Sequence, residues 1–258
     1  MIWNALNTAQ PPLLSLVMPV RGDGPLVIPS ITTLAFTARM PLELVIVYDH
    51  DDDKTVPVAR ELQCSFSGLF LLKNPGKGII EAVKAGFSAA HADTVGVWVA
   101  YHVDPFGLVN EMYDLIAAGC DLVSGNRFNK IRRVSRGGVV KKVLSRSGNF
   151  LLNRLSGIPL GDVTTSVKLY RKSFLRENPI ETQRSGGWAL STELAVKAAI
   201  RGYKLGEVEF LPQNTNMIYG VSHFRVFTQL DQYLRWLRIA VKHRGTILRN
   251  CSTGALGK

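Results

Sequence analysis

Short apolar runs rich in β-branched residues, each closing on a polar loop and each followed by a segment of helical periodicity, limit what this chain can fold into. Leu14–Val20 (LSLVMPV) and Leu42–Tyr48 (LELVIVY) have the length and composition of strands buried on both faces. Between them, Leu26–Ala38 reads as a helix, and Thr55–Leu62 opens another after an Asp-rich loop. Phe70–Lys73 is a third strand and Val95–Tyr101 a fourth. The helix expected between those two, Gly78–Ala90, carries Ile79, Val83 and Phe87 at helical spacing. Strands alternating with helices predict a doubly wound α/β sheet. A composition of 46% hydrophobic and 20% charged residues can bury a sizeable core, which excludes disorder as a description of the whole.

In such sheets ligands bind beyond the carboxyl ends of the strands, so the informative loops follow Val20, Tyr48 and Tyr101. They read Arg21-Gly22-Asp23-Gly24, Asp49-His50-Asp51-Asp52-Asp53 and His102-Val103-Asp104-Pro105. Asp51, Asp52 and Asp53 precede a helix and read equally well as capping residues. Asp49 and Asp104 follow apolar runs more closely, where an acceptor meets a nucleobase donor or a divalent cation on phosphates. No GxGxxG follows the first strand and no GxxxxGK[ST] occurs, so the phosphate cradles of dinucleotide oxidoreductases and P-loop NTPases are missing. Gly76-Lys77-Gly78 at a helix start is a general anion site, weak as a three-residue pattern.

The net charge of +11 is unevenly spread. Residues 1–126 hold 7 basic and 13 acidic side chains, whereas residues 127–154 hold nine basic ones (Arg127, Lys130, Arg132, Arg133, Arg136, Lys141, Lys142, Arg146, Arg154) and no acid. A second basic block, 225–258, holds 7 basic residues against Asp231. Nucleic acid, an anionic membrane and a phosphorylated substrate all satisfy this pattern, as does a plain solvated face. Cys64, Cys120 and Cys251 form no CxxC pair, which points to a reducing compartment. No apolar run is long enough to span a bilayer and Met1–Pro12 lacks the pattern of a secretory signal, so the expectation is cytoplasmic residence.

Taken in order, further motifs resemble the glycosyltransferase family 2 enzymes of GT-A fold, in particular the dolichol-phosphate mannosyltransferase-like branch. They are Ser15–Pro19, Val45–Thr55 (VIVYDHDDDKT), Asn74–Gly78 (NPGKG), Gly125-Asn126-Arg127 and Asp162–Arg171 (DVTTSVKLYR). Gly186-Gly187-Trp188 with Glu193, Gly202–Val208 and Gly220–Arg225 complete the series. The resemblance implies a GT-A (Rossmann-like) mixed sheet flanked by helices, with a glycosyltransferase domain over 1–224 and a basic amphipathic segment over 225–258. Within the domain, the nucleotide-sugar half covers about 1–126 and the acceptor half about 127–224.

The same resemblance implies transfer of a mannose- or glucose-type sugar from a GDP- or UDP-linked donor to a polyprenyl or dolichyl phosphate. Pro19, Val20, Asp23, Asp49, Asp51, Lys77 and Tyr101 would serve the donor, with Asp49 accepting from the base. Asp104 would lie at the metal and diphosphate position, Arg127 would bind the acceptor phosphate, and Arg132, Arg133 or Arg136 would assist. Asp162 would orient Arg127 or the donor sugar, and Glu193 stands where relatives acting on hydroxyl acceptors carry a base; as a residue, it reads equally well as a helix charge. Two departures stand out. Arg21-Gly22-Asp23 replaces the family's Tyr, Asn and Glu after the first strand, and the metal motif, normally Asp-x-Asp, reads VAYHVDP over Val99–Pro105. A His102-x-Asp104 pair on an extended segment would share one face and suit Mn²⁺ better than Mg²⁺. Metal-independent transfer and loss of activity are the other readings.

Phe227, Leu230, Leu234, Leu237 and Val241 recur at helical spacing beside Arg235, Arg238 and Lys242, the pattern either of a helix lying on an anionic membrane or of one packed on the domain. Two further functions remain open: transfer to a hydroxyl acceptor, and a nucleotide-binding or nucleic-acid-binding protein that kept the fold without catalysis. No RNA- or DNA-recognition motif is present, so nucleic acid is not expected as a partner.

Overall fold

The computed structural model describes residues 4–7, 9–104, 106–128, 149–150, 152–182, 187–210, 213–214 and 226–252. Strands are β1 (Leu14–Val20), β2 (Leu42–Tyr48), β3 (Leu69–Lys73), β4 (Thr94–Val97), β5 (His102–Val103), β6 (Leu122–Asn126), β7 (Lys168–Arg171), β8 (Leu205–Glu209) and β9 (Gln213–Asn214). Helices are α1 (Val27–Thr37), α2 (Thr55–Gln63), α3 (Ile79–Ala89), α4 (Leu108–Ala117), α5 (Lys172–Glu177), α6 (Ala189–Arg201), α7 (Val226–Lys242) and α8 (Arg244–Ser252). Seven strands form one sheet in the order β3-β2-β1-β4-β7-β6-β8. β7 runs antiparallel to both neighbours, and every other pairing in this sheet is parallel.

The pleat sends alternate residues of β1 to opposite layers. Leu14, Leu16, Met18 and Val20 pack with Val27, Ile31 and Leu34 of α1 and with Val109 and Met112 of α4. Val17 joins Val83 and Phe87 of α3, together with Leu190 and Leu194 of α6. Burial on both faces explains the unbroken apolar runs of β1 and β2. All the loops at the carboxyl ends of β1, β2, β3 and β4 therefore open on one edge of the sheet.

The fourth strand is shorter than its apolar run. It ends at Val97, because Trp98 turns inward to full burial and its Nε1 donates to the His102 carbonyl at 3.2 Å. The His102 amide closes the turn on Val99 O at 2.9 Å. His102 and Val103 then pair with Asn214 and Gln213 in a separate antiparallel ribbon.

α7 presents two distinct sides. Gln232, Trp236 and Ala240, four residues apart, are buried, and Trp236 and Ala240 share a core with α6 and Ile247 of α8. Leu230, Leu234 and Val241 point outward, 43%, 38% and 40% exposed, alongside exposed Arg238 and Lys242. The expected apolar stripe is thus split: Leu237 packs on the domain and three of its partners do not. The Phe227 side chain lies outside the described residues. Among the described residues, no helix is long and apolar enough to cross a membrane.

Gly86 sets the distance between α3 and β1. A Cβ there would stand 2.3 Å from Val17 Cγ1, and valine is stiff at χ1. Alanine would gain about 1 kcal/mol of helix propensity. Overpacking costs about 1–3 kcal/mol, so the clash outweighs that gain. Gly86→Ala should therefore lower the urea unfolding free energy rather than raise it.

Candidate active site

Three loops are stitched together at the carboxyl edge. The Arg21 amide donates to Asp23 Oδ2 (2.8 Å) and the Gly22 amide to Asp53 Oδ2 (2.7 Å), while Asp53 Oδ1 receives the Thr55 amide at the start of α2 (2.8 Å). Asp53 thus clips the loop after β1 to the loop after β2. Asp49 performs the next link: its Oδ1 accepts Asn74 Nδ2 (2.7 Å) and its Oδ2 the Gly78 amide (3.0 Å) at the head of α3. Gly78 has φ 82°, a left-handed backbone that glycine adopts without strain. Asp51 is exposed and paired with Lys73, whose ammonium holds its carboxyl below the usual range. Lys77 is exposed, Pro19 half-buried, and Val20 and Asp23 buried.

His102 and Asp104 have other engagements. The His102 ring packs against Trp98 (4.9 Å between centroids) and edge-on to Phe210 (5.2 Å). Asp104 is 3% exposed, and its two oxygens accept the Leu108 and Val109 amides (2.7 and 3.0 Å), so it closes the first turn of α4. Among the described residues no group of three or more His, Cys, Asp and Glu side chains is placed to hold a metal ion. Every Asp, Glu and Cys of the chain belongs to those residues, and His223 is the one histidine that does not. With both oxygens on amides of α4, Asp104 has other engagements than the expected His102-x-Asp104 ligand pair.

Arg127, at the carboxyl end of β6, is the best-anchored cation at this edge. Its Nε donates to Asp162 Oδ2 (2.6 Å) and its Nη2 to Asp162 Oδ1 (3.0 Å), the two-pronged geometry of guanidinium on carboxylate. Asp162 is fully buried, whereas the Arg127 side chain keeps 34% of its surface exposed. Burial alone would push the Asp162 carboxyl up; the Arg127 charge and its hydrogen bonds, with Lys168 beyond, overcome it and hold the carboxyl below the usual range. Nη2 also reaches Thr164 Oγ1 (3.1 Å), and the guanidinium lies over the Phe128 ring at 5.4 Å.

Glu207, Asn149 and Lys168 hold this pair in place. Glu207 of β8 accepts the Asp162 amide on Oε1 (3.0 Å) and Asn126 Nδ2 on Oε2 (3.0 Å). Asn149 accepts the Val163 and Thr164 amides and donates to Thr164 Oγ1. Lys168 of β7 is fully buried under the loop, donating to Val163 O (2.9 Å) and to Thr165 O. Tyr101 feels the charges of both Asp23 and Arg127, and burial pushes its hydroxyl pKa up. Tyr233 of α7 is also within electrostatic reach of Arg127, and burial raises its pKa as well.

Glu193 lies apart from this cluster, in α6. It is fully buried, its Oε1 accepting the Glu181 amide (2.6 Å) and Lys197 Nζ (2.7 Å), its Oε2 the Thr182 amide and hydroxyl (2.7 and 2.5 Å). Thr182 Oγ1 in turn receives Trp236 Nε1 at 3.2 Å, so Glu193 helps fasten α7. Arg132, Arg133 and Arg136 lie outside the described residues, as do Gly186 and the Gly220–Arg225 motif. Sequence reasoning did not single out Asn149, Thr164, Lys168 or Glu207. The last three sit inside motifs it quoted, where polar residues in otherwise buried stretches were the available signal.

The sheet with its parallel β1–β4 half, the stitched acidic loops and the anchored arginine opposite them define a nucleotide-sugar transferase fold of GT-A type. The glycosyl transferase family 2 model matches residues 15–178, and the chain belongs to that family. It is 30% identical over 168 residues to a dolichyl-phosphate hexose transferase of Haloferax volcanii, covering 64% of this chain and 67% of that one. It is 24% identical over 204 residues to a dolichol-phosphate mannosyltransferase of Pyrococcus furiosus (75% and 55%) and 25% over 172 residues to a polyprenol monophosphomannose synthase of Mycolicibacterium smegmatis (65% of each). The chain thus spans between about half and two thirds of the length of these relatives. Among solved structures, it resembles glucosyl-3-phosphoglycerate synthase from Mycobacterium tuberculosis in complex with Mn²⁺, UDP and glucosyl-3-phosphoglycerate. That likeness has TM-score 0.63 and 14% identity over 91% of this chain and 80% of that one, and it establishes the fold alone. The same synthase is known in complex with Mg²⁺ and UDP, with TM-score 0.61, 16% identity and the same two coverages.

Burial drives the Lys168 ammonium down to about 7 from 10.5. Between those values the unfolded chain holds a proton that the folded chain gives up, so this group adds stability as pH rises through the window and subtracts it below. Wild type should gain stability relative to Lys168→Met from about pH 7 to about pH 9, with a slope of at most about 1.4 kcal/mol per pH unit. Urea unfolding of both proteins across that range measures the difference.

Proposed function

We propose that this glycosyltransferase moves a hexose from a nucleoside diphosphate donor to a polyprenyl phosphate at a membrane surface. One observation carries the reading: the guanidinium of Arg127 is fixed by a buried carboxylate, and a third of the Arg127 side chain's surface stays open. A clamp of that kind suits a phosphate better than a sugar hydroxyl. The names of the relatives support the lipid phosphate, and the stitched loops carrying Asp23 and Asp49 support the nucleotide.

In the reaction an oxygen of the acceptor phosphate attacks the anomeric carbon. The bond from that carbon to the donor's diphosphate breaks, and the nucleoside diphosphate leaves with the electron pair. A phosphate monoester is already ionised near neutral pH, with a second pKa of about 6, so the nucleophile needs no strong base. Arg127 would hold that phosphate and Asp162 would hold Arg127; Arg132, Arg133 and Arg136 follow it in an acid-free run and would extend the grip. Glu193, with both oxygens engaged, serves in this reading as a brace for α6 and α7. Phe150, 69% exposed, adjoins Asn149 of the same network and offers apolar surface to a prenyl chain. The donor is GDP- or UDP-linked in this proposal. The solved structures of like fold hold Mn²⁺ or Mg²⁺ with UDP, and a divalent cation on the donor's diphosphate would be the corresponding group in this proposal.

The outward side of α7 supports docking on an anionic surface. Leu230, Leu234 and Val241 lie together there, and Arg238 and Lys242 flank them. Leu230→Ser with Leu234→Ser should weaken binding to vesicles containing phosphatidylglycerol by about tenfold with little change in Tm, since neither side chain belongs to the buried core clusters. Co-sedimentation reads the first quantity and a melting curve the second.

Radiolabel transfer from GDP-mannose or UDP-glucose to a short polyprenyl phosphate tests the chemistry. A lipid-linked product is expected, and Arg127→Lys, which keeps the charge and loses the two-pronged grip, should lower its rate about tenfold to a hundredfold. Glu193→Gln should act mainly on stability. No lipid product from either donor, or full activity in Arg127→Lys, contradicts the proposal.

A further inference from the structure

Two of the three guanidinium nitrogens of Arg127 are engaged inside the protein. Nε and Nη2 donate to Asp162, and Nη2 donates as well to Thr164 Oγ1 at 3.1 Å. Among the described residues Nη1 has no such acceptor, so it is the nitrogen left for a ligand. Two parallel bonds to one carboxylate fix the guanidinium along the line joining the two groups, but its plane can still tilt about that line. A third acceptor, on a different residue, restrains the tilt.

Thr164 is that acceptor, and its hydroxyl is filled by the cluster itself. A hydroxyl has one hydrogen and two lone pairs. The lone pairs receive Arg127 Nη2 and Asn149 Nδ2 (2.7 Å), and the hydrogen goes to Asp162 Oδ1 (3.3 Å). The side chain therefore acts on a ligand through Arg127 rather than by touching it. Threonine suits this duty because its β-branch is stiff at χ1. The backbone is fixed as well, since Asn149 Oδ1 accepts the Thr164 amide (3.2 Å) beside that of Val163 (3.0 Å). Asn149 is 1% exposed, whereas Phe150, the next residue, is 69% exposed. One hydroxyl thus stands between the charged group at the edge and the segment that carries an open aromatic ring.

We infer that Thr164 is the positioning residue of the acceptor grip: its hydroxyl holds the Arg127 plane so that Nη1 meets a phosphate oxygen, and it ties that grip through Asn149 to the segment bearing Phe150. The inference rests on the acceptor-phosphate reading above and names the group that orients its arginine.

Transfer to farnesyl phosphate from GDP-mannose or UDP-glucose, with KM measured separately for acceptor and donor, tests it on the intact chain. Thr164→Val keeps the shape of the side chain and removes the hydroxyl. It should raise the acceptor KM about tenfold, the effect of one hydrogen bond to a charged group, and leave the donor KM within about twofold. Thr164→Ser, which restores the hydroxyl, should return the acceptor KM to within about threefold of wild type. In an Arg127→Lys background Thr164→Val should add less than about twofold, because the group it orients is gone. Where the valine variant does not fold, Thr164→Ala is read in the same way. An unchanged acceptor KM in Thr164→Val overturns the inference, as does an equal rise in the donor KM, a serine variant as impaired as the valine one, or full additivity with Arg127→Lys. Each of those results leaves the acceptor reading standing. No lipid-linked product from the wild type with either donor overturns the acceptor reading, and this inference with it.

Discussion

The pairing of Arg127 with Asp162 is the contact to which the acceptor side of the molecule is built. A carboxylate without solvent exposure is costly unless it is paired and hydrogen-bonded, and Asp162 meets both conditions. Its oxygens take the guanidinium and the Thr165 amide, and its own amide goes to Glu207. Remove the arginine and the chain is left with a buried uncompensated charge beside the buried amine of Lys168. The cost of assembling this cluster buys orientation: a guanidinium whose rotamer is set before any ligand arrives loses little further freedom on binding one.

Close approach of backbone makes the cluster possible. Gly161 precedes Asp162, and a Cβ there would lie 2.5 Å from Asn126 Nδ2, the group through which Glu207 ties β6 to β8. The polar network therefore sits inside a layer of strands, and the strand ends are where the anchoring side chains converge. The arrangement separates two duties. Glu207, Asn149 and Lys168 hold the loop, and Arg127 alone among these cations presents open surface at the edge.

Some of this was legible in the residues. β1 and β2 coincide with their apolar runs, since a strand covered on both faces must be apolar throughout. The family likeness, read from motifs spread along the chain, agrees with the matched model and the named relatives. β4 was harder: Val99-Ala100-Tyr101 is as apolar as a strand, and only the inward turn of Trp98, a tertiary event, ends the ladder at Val97. Asp104 and Glu193 show why acidic residues mislead. A carboxylate that caps a helix, or one that ties α6 to α7, is written with the same letter as one that faces a ligand. α7 illustrates a further limit, because its spacing supports two apolar sides and periodicity does not say which of them meets the domain.

The reversed direction of β7 has a consequence for how the molecule comes into being. β1 to β4 pair among themselves within the first hundred residues, so that half of the sheet has all its partners early in synthesis. β6 has none until residues 168–171 arrive, and β7 must then add beside β4 and beside β6 to join the two parts into one sheet. Contacts between residues so distant in the chain are slow to form. Because Lys168 opens that joining strand, its burial and the closing of the sheet are a single event, and the arginine grip can take shape only after about two thirds of the chain has left the ribosome.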